Sequence, residues 1–241
     1  MLPRFSLVIP AYNEERLLPR LLDSIQIARS TYGNRDAIEV IVADNMSTDR
    51  TAEIARQRGC LVVPVEKRII AASRNGGARA ARGEIVAFID ADSQVHRQTF
   101  GELDRVLATG RCVGGATGVR LERWSLGIAL TYMTIVPLVL LTGMDTGVVF
   151  CRKQDFDAVN GYDESRRVAE DVAFLWHLRK LGKTRGQRLM RVTAAKAISS
   201  TRKFDEFGDW HYFRLIVEGV RHLRRRGETE FTDKYWYKPK R

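Results

Sequence analysis

The stretch IVAFIDAD, residues 85–92, consists of five apolar residues followed by two aspartates separated by one alanine. A short, wholly apolar run of this kind is typical of a strand that is buried on both faces. Two carboxylates at one strand end repel each other, and a divalent cation bound between them would offset that repulsion. The segment therefore predicts a buried strand with a cation site at its carboxyl end.

Strand and helix patterns alternate through the preceding part of the chain. Strands are predicted at residues 5–9, 38–43, 61–65 and 85–89, and helices at 15–30, 47–59 and 71–83. Strands separated by helices pair in parallel through right-handed crossovers, because a tight hairpin cannot join parallel neighbours. The sequence thus predicts an α/β fold with a Rossmann-like, mostly parallel central sheet flanked by helices.

Polar residues follow three of these predicted strands. They occupy positions 10–14, 44–45 and 90–92. In open parallel sheets, ligands bind beyond the carboxyl ends of the strands. We therefore expect these three groups to converge on one crevice.

Composition limits the partners and the compartment. The net charge of +11 fits nucleic acid, anionic lipid or phosphorylated small molecules as partners. Cys60, Cys112 and Cys151 are odd in number, are widely spaced and form no zinc pattern, which favours a reducing compartment. The N-terminus has no signal-peptide pattern. We expect a cytoplasmic protein, either free or peripheral on the inner face of a membrane.

Four motifs, taken in order and spacing, resemble family 2 glycosyltransferases, the large inverting group with the GT-A fold. The motifs are PAYNEE (10–15), ADNMSTDRT (43–51), ARGEIVAFIDADS (81–93) and AEDVAFLWHLRKLG (169–182). The resemblance covers residues 4–205. It implies a nucleotide-sugar donor of the UDP or GDP type, a hydroxyl acceptor, and Mg²⁺ or Mn²⁺ as the cofactor.

The resemblance also assigns roles to residues of the predicted crevice. Asp92 is the firmer metal ligand, and Asp90 lies nearer the ribose. Tyr12 would stack on the base, and Asp44 would accept a hydrogen bond from it. The nucleotide-sugar site as a whole is predicted to include Pro10, Ala11, Tyr12, Glu14, Asp44, Arg74, Asp90, Ala91, Arg202 and Lys203. Among these, Arg74 would reach the donor phosphates, and Arg202 with Lys203 would fold over the diphosphate.

An acidic pair, Glu170 and Asp171, opens a predicted helix that ends at Gly182. The helix N-terminus favours carboxylates by itself. An inverting displacement also needs a base that takes the proton of the attacking hydroxyl. By the resemblance, that base is Asp171, and Glu170 is its positioning neighbour.

Residues 124–144 carry no charge until Asp145 and would span roughly 31 Å as one helix, which is close to the thickness of a bilayer core. A single crossing would separate Asp92 from Asp171, so the alternatives are a buried core helix, an interfacial or re-entrant segment, and a homodimer contact. Residues 1–205 are predicted to form the GT-A domain, and residues 206–241 a basic, helical C-terminal extension. The extension and the apolar segment together suit a membrane surface.

With no set of membrane spans, transfer of a single sugar to a glycolipid, polyprenyl-linked or saccharide hydroxyl is favoured. Two other function classes stay open. One is a nucleotide-sugar-binding protein without catalysis, and the other is a nucleic-acid-binding protein driven by net charge. Nucleic acid is the less favoured partner, because the predicted acidic crevice would repel phosphates in the absence of metal.

Overall fold

The computed structural model describes residues 2–142, 144–166, 169–210 and 213. Within these residues it contains eight strands and eight α-helices. In chain order they are β1 (Phe5–Ala11), α1 (Leu18–Tyr32), β2 (Ile38–Asp44), α2 (Thr51–Gln57), β3 (Leu61–Pro64), α3 (Ile70–Ala80), β4 (Ile85–Phe88), β5 (Ser93–Gln94), α4 (Thr99–Ala108), β6 (Cys112–Leu121), α5 (Leu126–Thr142), β7 (Val149–Arg152), α6 (Lys153–Ala158), α7 (Glu170–Thr184), β8 (Arg188–Ser199) and α8 (Arg202–Phe207).

The eight strands form one sheet in the order β3-β2-β1-β4-β7-β6-β8-β5. Strands β1 to β4 pair in parallel, as the alternating pattern predicts. Strand β7 runs antiparallel to both β4 and β6. The predicted α/β class is confirmed, and β7 adds an antiparallel strand in the middle of the sheet.

Strand β1 is buried along its whole length, because helices cover both faces of the sheet. Phe5, Leu7 and Ile9 point to one face, and Val8 points to the other. Helix α3 packs closely on this second face: a Cβ added at Gly77 would lie 2.4 Å from a Val8 methyl. The glycines of α3 therefore permit a close approach of that helix to the strands that carry the predicted site.

Helix α1 begins at Leu18, later than the apolar pattern predicts. This start places Pro19 in the first turn of the helix. Proline is accepted there, because the N–H groups of a first turn have no intrahelical partner.

Two loops that follow neighbouring strands are tied together by hydrogen bonds. The N–H of Asn13 donates to Ser47 Oγ (3.0 Å), the N–H of Thr48 donates to Asn13 Oδ1 (2.8 Å), and the N–H of Glu14 donates to Thr51 Oγ1 (2.8 Å). From the sequence, Ser47 or Thr48 can cap the helix that follows β2. In the structure neither residue does so, since α2 begins only at Thr51. Their polar groups instead hold the loop after β1 against the loop after β2.

The chain forms two compact units. The first comprises Met1–Arg120 and Gly143–Ser199, and the second comprises Leu121–Thr142 and Ser200–Arg241. The first unit contains the strands and helices that carry most of the predicted site. The predicted boundary between residues 205 and 206 stays a prediction.

In the second unit, Arg123 forms ion pairs with Asp205 (2.5 Å) and Asp209 (2.7 Å). Helix α5 exposes Leu126 and Met133 (70% and 68%). Across the described ranges, no helix has the length and apolar character needed to cross a membrane. The basic and aromatic motifs of the predicted extension, RHLRRR (221–226), YWY (235–237) and KPKR (238–241), lie outside the described residues.

Candidate active site

The predicted nucleoside contacts lie at the carboxyl ends of β1 and β2. The carbonyl of Ala11, which follows Pro10 at the end of β1, accepts a hydrogen bond from Asn45 N–H (2.8 Å) and so joins the two strand ends. The Tyr12 ring is about one-third exposed, and the guanidinium carbon of Arg68 lies 5.2 Å from its centroid. Asp44 Oδ1 is buried and has no hydrogen-bond partner in the described part of the chain. The Tyr12 ring and the unpaired Asp44 Oδ1 therefore lie at neighbouring strand ends, where the nucleotide base is expected to bind.

Glu14 lies in the loop between β1 and α1. Its carbonyl accepts hydrogen bonds from the N–H groups of Leu17 (3.1 Å) and Leu18 (2.9 Å), which begin the helix. The backbone of Glu14 is thereby fixed just ahead of α1. The predicted contact of its carboxylate with the base edge stays a prediction.

The predicted metal motif follows β4 in a tight turn. Ser93 N–H donates to the Asp90 carbonyl (3.0 Å), and Ala91 between the two aspartates is buried. The Asp90 side chain is half exposed at this edge of the sheet. No group of three or more His, Cys, Asp or Glu side chains suited to a metal ion occurs in the ranges described. Asp90 and Asp92 nevertheless fit an Mg²⁺ or Mn²⁺ ion that takes one or two carboxylates and completes its shell with water and phosphate oxygens.

The acidic pair that is predicted to provide the general base occupies the first two positions of α7. Glu170 and Asp171 follow Ala169, which adopts a left-handed conformation (φ 56°). Their side chains are only 12% and 16% exposed. The positive end of the helix favours both carboxylates at this place.

Arg74 brings the two acidic groups together. Its Nη2 lies 3.0 Å from Asp90 Oδ1, and its Nη1 lies 2.8 Å from Glu170 Oε1 and 2.9 Å from Asp171 Oδ1. Arg74 is buried, which by itself lowers the pKa of a guanidinium, but the neighbouring carboxylates outweigh this effect and raise its pKa well above the usual value. The guanidinium therefore stays charged and links the end of β4 to the start of α7.

This placement of Arg74 differs from the role expected from its sequence. As a basic residue of α3 it is predicted to contact the donor phosphates, and that contact stays a prediction. What the sequence does not indicate is that the side chain pairs with three carboxylates of its own chain. These partners lie 16 to 97 positions away in the sequence, and only the folded chain brings them to one side chain of α3.

Asp171 has a strongly altered affinity for protons. Burial raises the pKa of its carboxyl group to about 6, with Asp90 and Glu170 adding to the rise and Arg74 opposing it. The group is therefore neutral in acid and becomes a carboxylate near neutral pH. A carboxylate with this pKa is a stronger base than an ordinary aspartate and is still ionised at pH 7.

A cluster of aromatic side chains packs against Arg74. Tyr162 and Phe174 stack at a centroid distance of 4.3 Å, and Phe88 meets Tyr162 edge-on at 5.1 Å. The guanidinium carbon of Arg74 lies 5.1 Å from the Tyr162 ring centroid. No spacing or charge pattern in the sequence singles out Tyr162, so this contact was found only in the structure.

Arg202 and Lys203, the remaining predicted donor contacts, are the first two residues of α8. They belong to the second unit, and both are partly buried. Their predicted role at the diphosphate stays a prediction.

A family model described as glycosyl transferase family 2 matches residues 6–130. Among curated proteins, glycosyltransferase AglE of Haloferax volcanii is 36% identical over 103 residues, which cover 40% of this chain and 33% of AglE. An undecaprenyl-phosphate 4-deoxy-4-formamido-L-arabinose transferase of Pseudomonas paraeruginosa is 37% identical over 123 residues, covering 46% of this chain and 34% of that protein. The matched segments thus span about a third of the length of these curated relatives.

Solved structures share the fold. The mannosyltransferase PcManGT from Pyrobaculum calidifontis, in complex with GDP-Man and Mn²⁺, superposes with a TM-score of 0.66 at 21% identity, over 97% of this chain and 68% of that one. S. aureus TarS 1–349 in complex with UDP-GlcNAc gives a TM-score of 0.60 at 17% identity, over 82% and 58% of the two chains. At these identities the likeness concerns the fold alone, and it confirms the predicted fold class.

Proposed function

The chain belongs to glycosyl transferase family 2, as its motifs predict, and from that premise we propose that it transfers one sugar from a nucleoside diphosphate sugar to a hydroxyl acceptor. The transfer would be a single metal-dependent displacement that inverts the anomeric carbon. The observation that carries the proposal is the convergence of Asp90 with Glu170 and Asp171 on one buried arginine, Arg74. It supports the proposal because one side chain contacts both Asp90 of the predicted metal motif and the predicted base.

In the proposed reaction the acceptor oxygen bonds to the anomeric carbon while the bond from that carbon to the diphosphate breaks. Asp171 takes the proton of the acceptor hydroxyl, and its raised pKa suits it to this role. Asp90 and Asp92 would hold an Mg²⁺ or Mn²⁺ ion, whose charge neutralises the diphosphate as it leaves. Glu170 helps to fix Arg74, and Arg74 in turn holds Asp171 in place.

The nucleoside of the donor is proposed to bind at the ends of β1 and β2. A base stacked on Tyr12 would place one of its N–H groups against the unused Asp44 Oδ1. UDP-type and GDP-type donors both carry such an N–H. Asn45 and Met46 replace the acidic residue and the glycine that are frequent in this motif, so the choice of base is not fixed by the motif.

A donor panel tests the proposed function directly. Thermal unfolding is measured with each nucleoside diphosphate sugar, in the presence and absence of Mn²⁺. One donor at about 100 times its dissociation constant should stabilise the protein by about 2.7 kcal/mol and raise Tm by roughly 5 to 10 °C, only when Mn²⁺ is present. The Asp92→Asn variant should lose this shift, and Asp163→Asn, which changes a partly exposed turn aspartate, should keep it.

The same panel, combined with assays of nucleoside diphosphate release and of DNA binding, decides between the alternatives. A Tm shift without release of the nucleoside diphosphate would favour a binding protein without catalysis. Indifference to every donor, together with steeply salt-dependent binding of DNA, would favour the nucleic-acid alternative. Either outcome would contradict the proposed transfer.

The acceptor is proposed to be lipid-linked, with the protein peripheral on the cytoplasmic face of a membrane. One relative acts, by its printed name, on undecaprenyl phosphate. Helix α5 carries no charged residue, and Leu126 and Met133 on it are largely exposed, as is Trp124 just before it. Exposed tryptophan and aliphatic side chains suit the headgroup region of a bilayer. The basic motifs in the sequence of the C-terminal extension suit anionic headgroups.

Vesicle co-sedimentation tests this membrane contact. Met133→Glu should weaken binding to anionic vesicles at least tenfold, because burying an apolar side chain of this size contributes about 1.5–3 kcal/mol. Ile27→Glu, at an exposed position of α1, is the matched control and should bind as the unmodified protein does. Equal binding of all three proteins would contradict a role for α5. A change of mass by light scattering in Met133→Glu, without vesicle binding by any protein, would instead assign α5 to a homodimer contact.

A further inference from the structure

A buried tyrosine hydroxyl close to the site has no part in the mechanism above. Tyr162 is 2% exposed, and its hydroxyl makes no hydrogen bond of good geometry within the described part of the chain. A buried polar group without a partner costs free energy, and phenylalanine would fill the same space without that cost. The hydroxyl therefore calls for a functional explanation.

The position of Tyr162 is fixed from two sides. Asn75 holds its backbone, donating from Nδ2 to the Tyr162 carbonyl and accepting at Oδ1 from the Tyr162 N–H, both at 2.9 Å. Its ring lies between Phe174, at a centroid distance of 4.3 Å, and the Arg74 guanidinium, at 5.1 Å. These contacts hold the ring in place inside the cluster.

The charged groups beside this hydroxyl belong to the site. Phe174, on which the ring stacks, lies one helical turn after Asp171 on α7. Arg74 contacts both the Tyr162 ring and the Asp171 carboxylate. Asp171 Oδ1 is itself a buried oxygen without a hydrogen bond of good geometry. Burial raises the pKa of Tyr162, and the nearby charge of Asp171 raises it further.

We propose that the Tyr162 hydroxyl donates a hydrogen bond to Asp171 and so positions the carboxylate that removes the acceptor's proton. Tyr162 is then a positioning residue, since it acts through Asp171. The inference rests on the proposed function, which makes Asp171 the base.

Four groups face Asp171 and set its proton affinity. Arg74 on α3 and the Tyr162 hydroxyl favour the carboxylate, and Asp90 after β4 and Glu170 on α7 favour the neutral acid. A hydrogen bond donated to a carboxylate stabilises its charged form. Removal of the Tyr162 hydroxyl should therefore raise the pKa of Asp171 and leave the other three groups in place.

Tyr162→Phe is the test, with Tyr32→Phe as the matched control. Tyr32 also places its hydroxyl on an aspartate, Asp104 (2.6 Å), but lies outside the site. For Tyr162→Phe we expect kcat at pH 6 to fall about tenfold, KM for the donor to change less than twofold, and the acid limb of the pH–rate profile to move up by about one pH unit. Tyr32→Phe should keep the wild-type limb. An unshifted limb in Tyr162→Phe would overturn the inference.

A second measurement does not depend on activity. The unfolding free energy is followed against pH for the wild type and for Tyr162→Phe, each compared with the same protein carrying Asp171→Asn. The difference within each pair reports the protonation of Asp171. Its midpoint should lie about one pH unit higher when the hydroxyl is absent, and equal midpoints would overturn the inference. If the midpoint shifts but the protein has no transferase activity, the hydrogen bond between Tyr162 and Asp171 is supported and only the proposed function is contradicted.

Discussion

Asp171→Asn is expected to lower kcat by about a thousandfold while the donor binds with nearly unchanged affinity. The amide matches the carboxylate in size but cannot take a proton, and loss of a general base typically costs 10²–10⁴-fold in rate. The ion pair to Arg74 at 2.9 Å is also lost, but Asp90 and Glu170 still neutralise that guanidinium. Turnover is measured as release of the nucleoside diphosphate, and donor affinity by calorimetric titration with Mn²⁺ present.

Asp157→Asn is a suitable control, because Asp157 is an exposed residue of α6 that pairs with Lys153. It should keep the wild-type rate. If Asp171→Asn retained more than a tenth of that rate, Asp171 would not be the base. If both the rate and the donor affinity collapsed, the residue would have a structural role instead.

Asp171 should also make stability and rate depend on pH in opposite directions. Its pKa is raised from 3.8 to about 6 in the folded protein. Between about pH 4 and pH 6 the folded state binds more protons than the unfolded state, so stability falls as pH rises through this window. The rate rises over the upper part of the same window, as the base loses its proton. Asp171→Asn should remove the fall in stability and raise the unfolding free energy at pH 8 by at most about 3 kcal/mol, since one pKa unit corresponds to about 1.4 kcal/mol.

The sequence predicts those features of the site that depend on local pattern. Asp44 and Asp90 follow apolar runs, and the carboxyl ends of parallel strands meet at one edge of a sheet. The alternation of strands and helices is enough to place both residues at that edge. The acidic pair at the start of α7 is likewise visible as a carboxylate pair ahead of an apolar helix face.

Other features depend on packing between distant segments, and the sequence carries no signal for them. Strand β7 inserts antiparallel beside β4 because its residues 149–152 pair with 85–88, far back in the chain. Ser47 and Thr48 bond to Asn13, which lies 34 and 35 positions earlier in the chain, and not to a helix end. A pattern within one segment does not predict which distant residue that segment will contact, because such contacts depend on the whole fold.

Arg74 is predicted in part by local sequence pattern and in part only by the folded structure. Its replacement should have the second large effect. The sequence shows a basic residue in a helix ahead of the metal motif, which indicates an anionic partner but not which one. In the structure that partner is a set of three carboxylates, Asp90, Glu170 and Asp171, around a guanidinium with a 4% exposed side chain. One planar group with several N–H donors can bond to all three at once.

Arg74→Met should destabilise the protein by about 3–5 kcal/mol at pH 8, because breaking a buried ion pair leaves uncompensated charge. The loss should be smaller near pH 4.5, since without the guanidinium the pKa of Asp171 rises further and the group is then neutral. Arg74→Lys should recover part of the stability but not the rate, because a single ammonium cannot hold three carboxylates in place. Both are measured by urea unfolding and by kcat, with Arg79→Met on the exposed side of α3 as the control.

The pH dependence separates charge from packing in this experiment. A loss of stability that is equal at pH 4.5 and pH 8 would mean that Arg74 serves only to fill space, and the link between the metal motif and the base would then have no electrostatic role. A loss that grows with pH, together with a fall in kcat of about a hundredfold or more, follows if the guanidinium is what allows the carboxylates to approach one another. Ionised carboxylates that share one partner repel each other, and among the described residues Arg74 supplies a positive charge that offsets this repulsion.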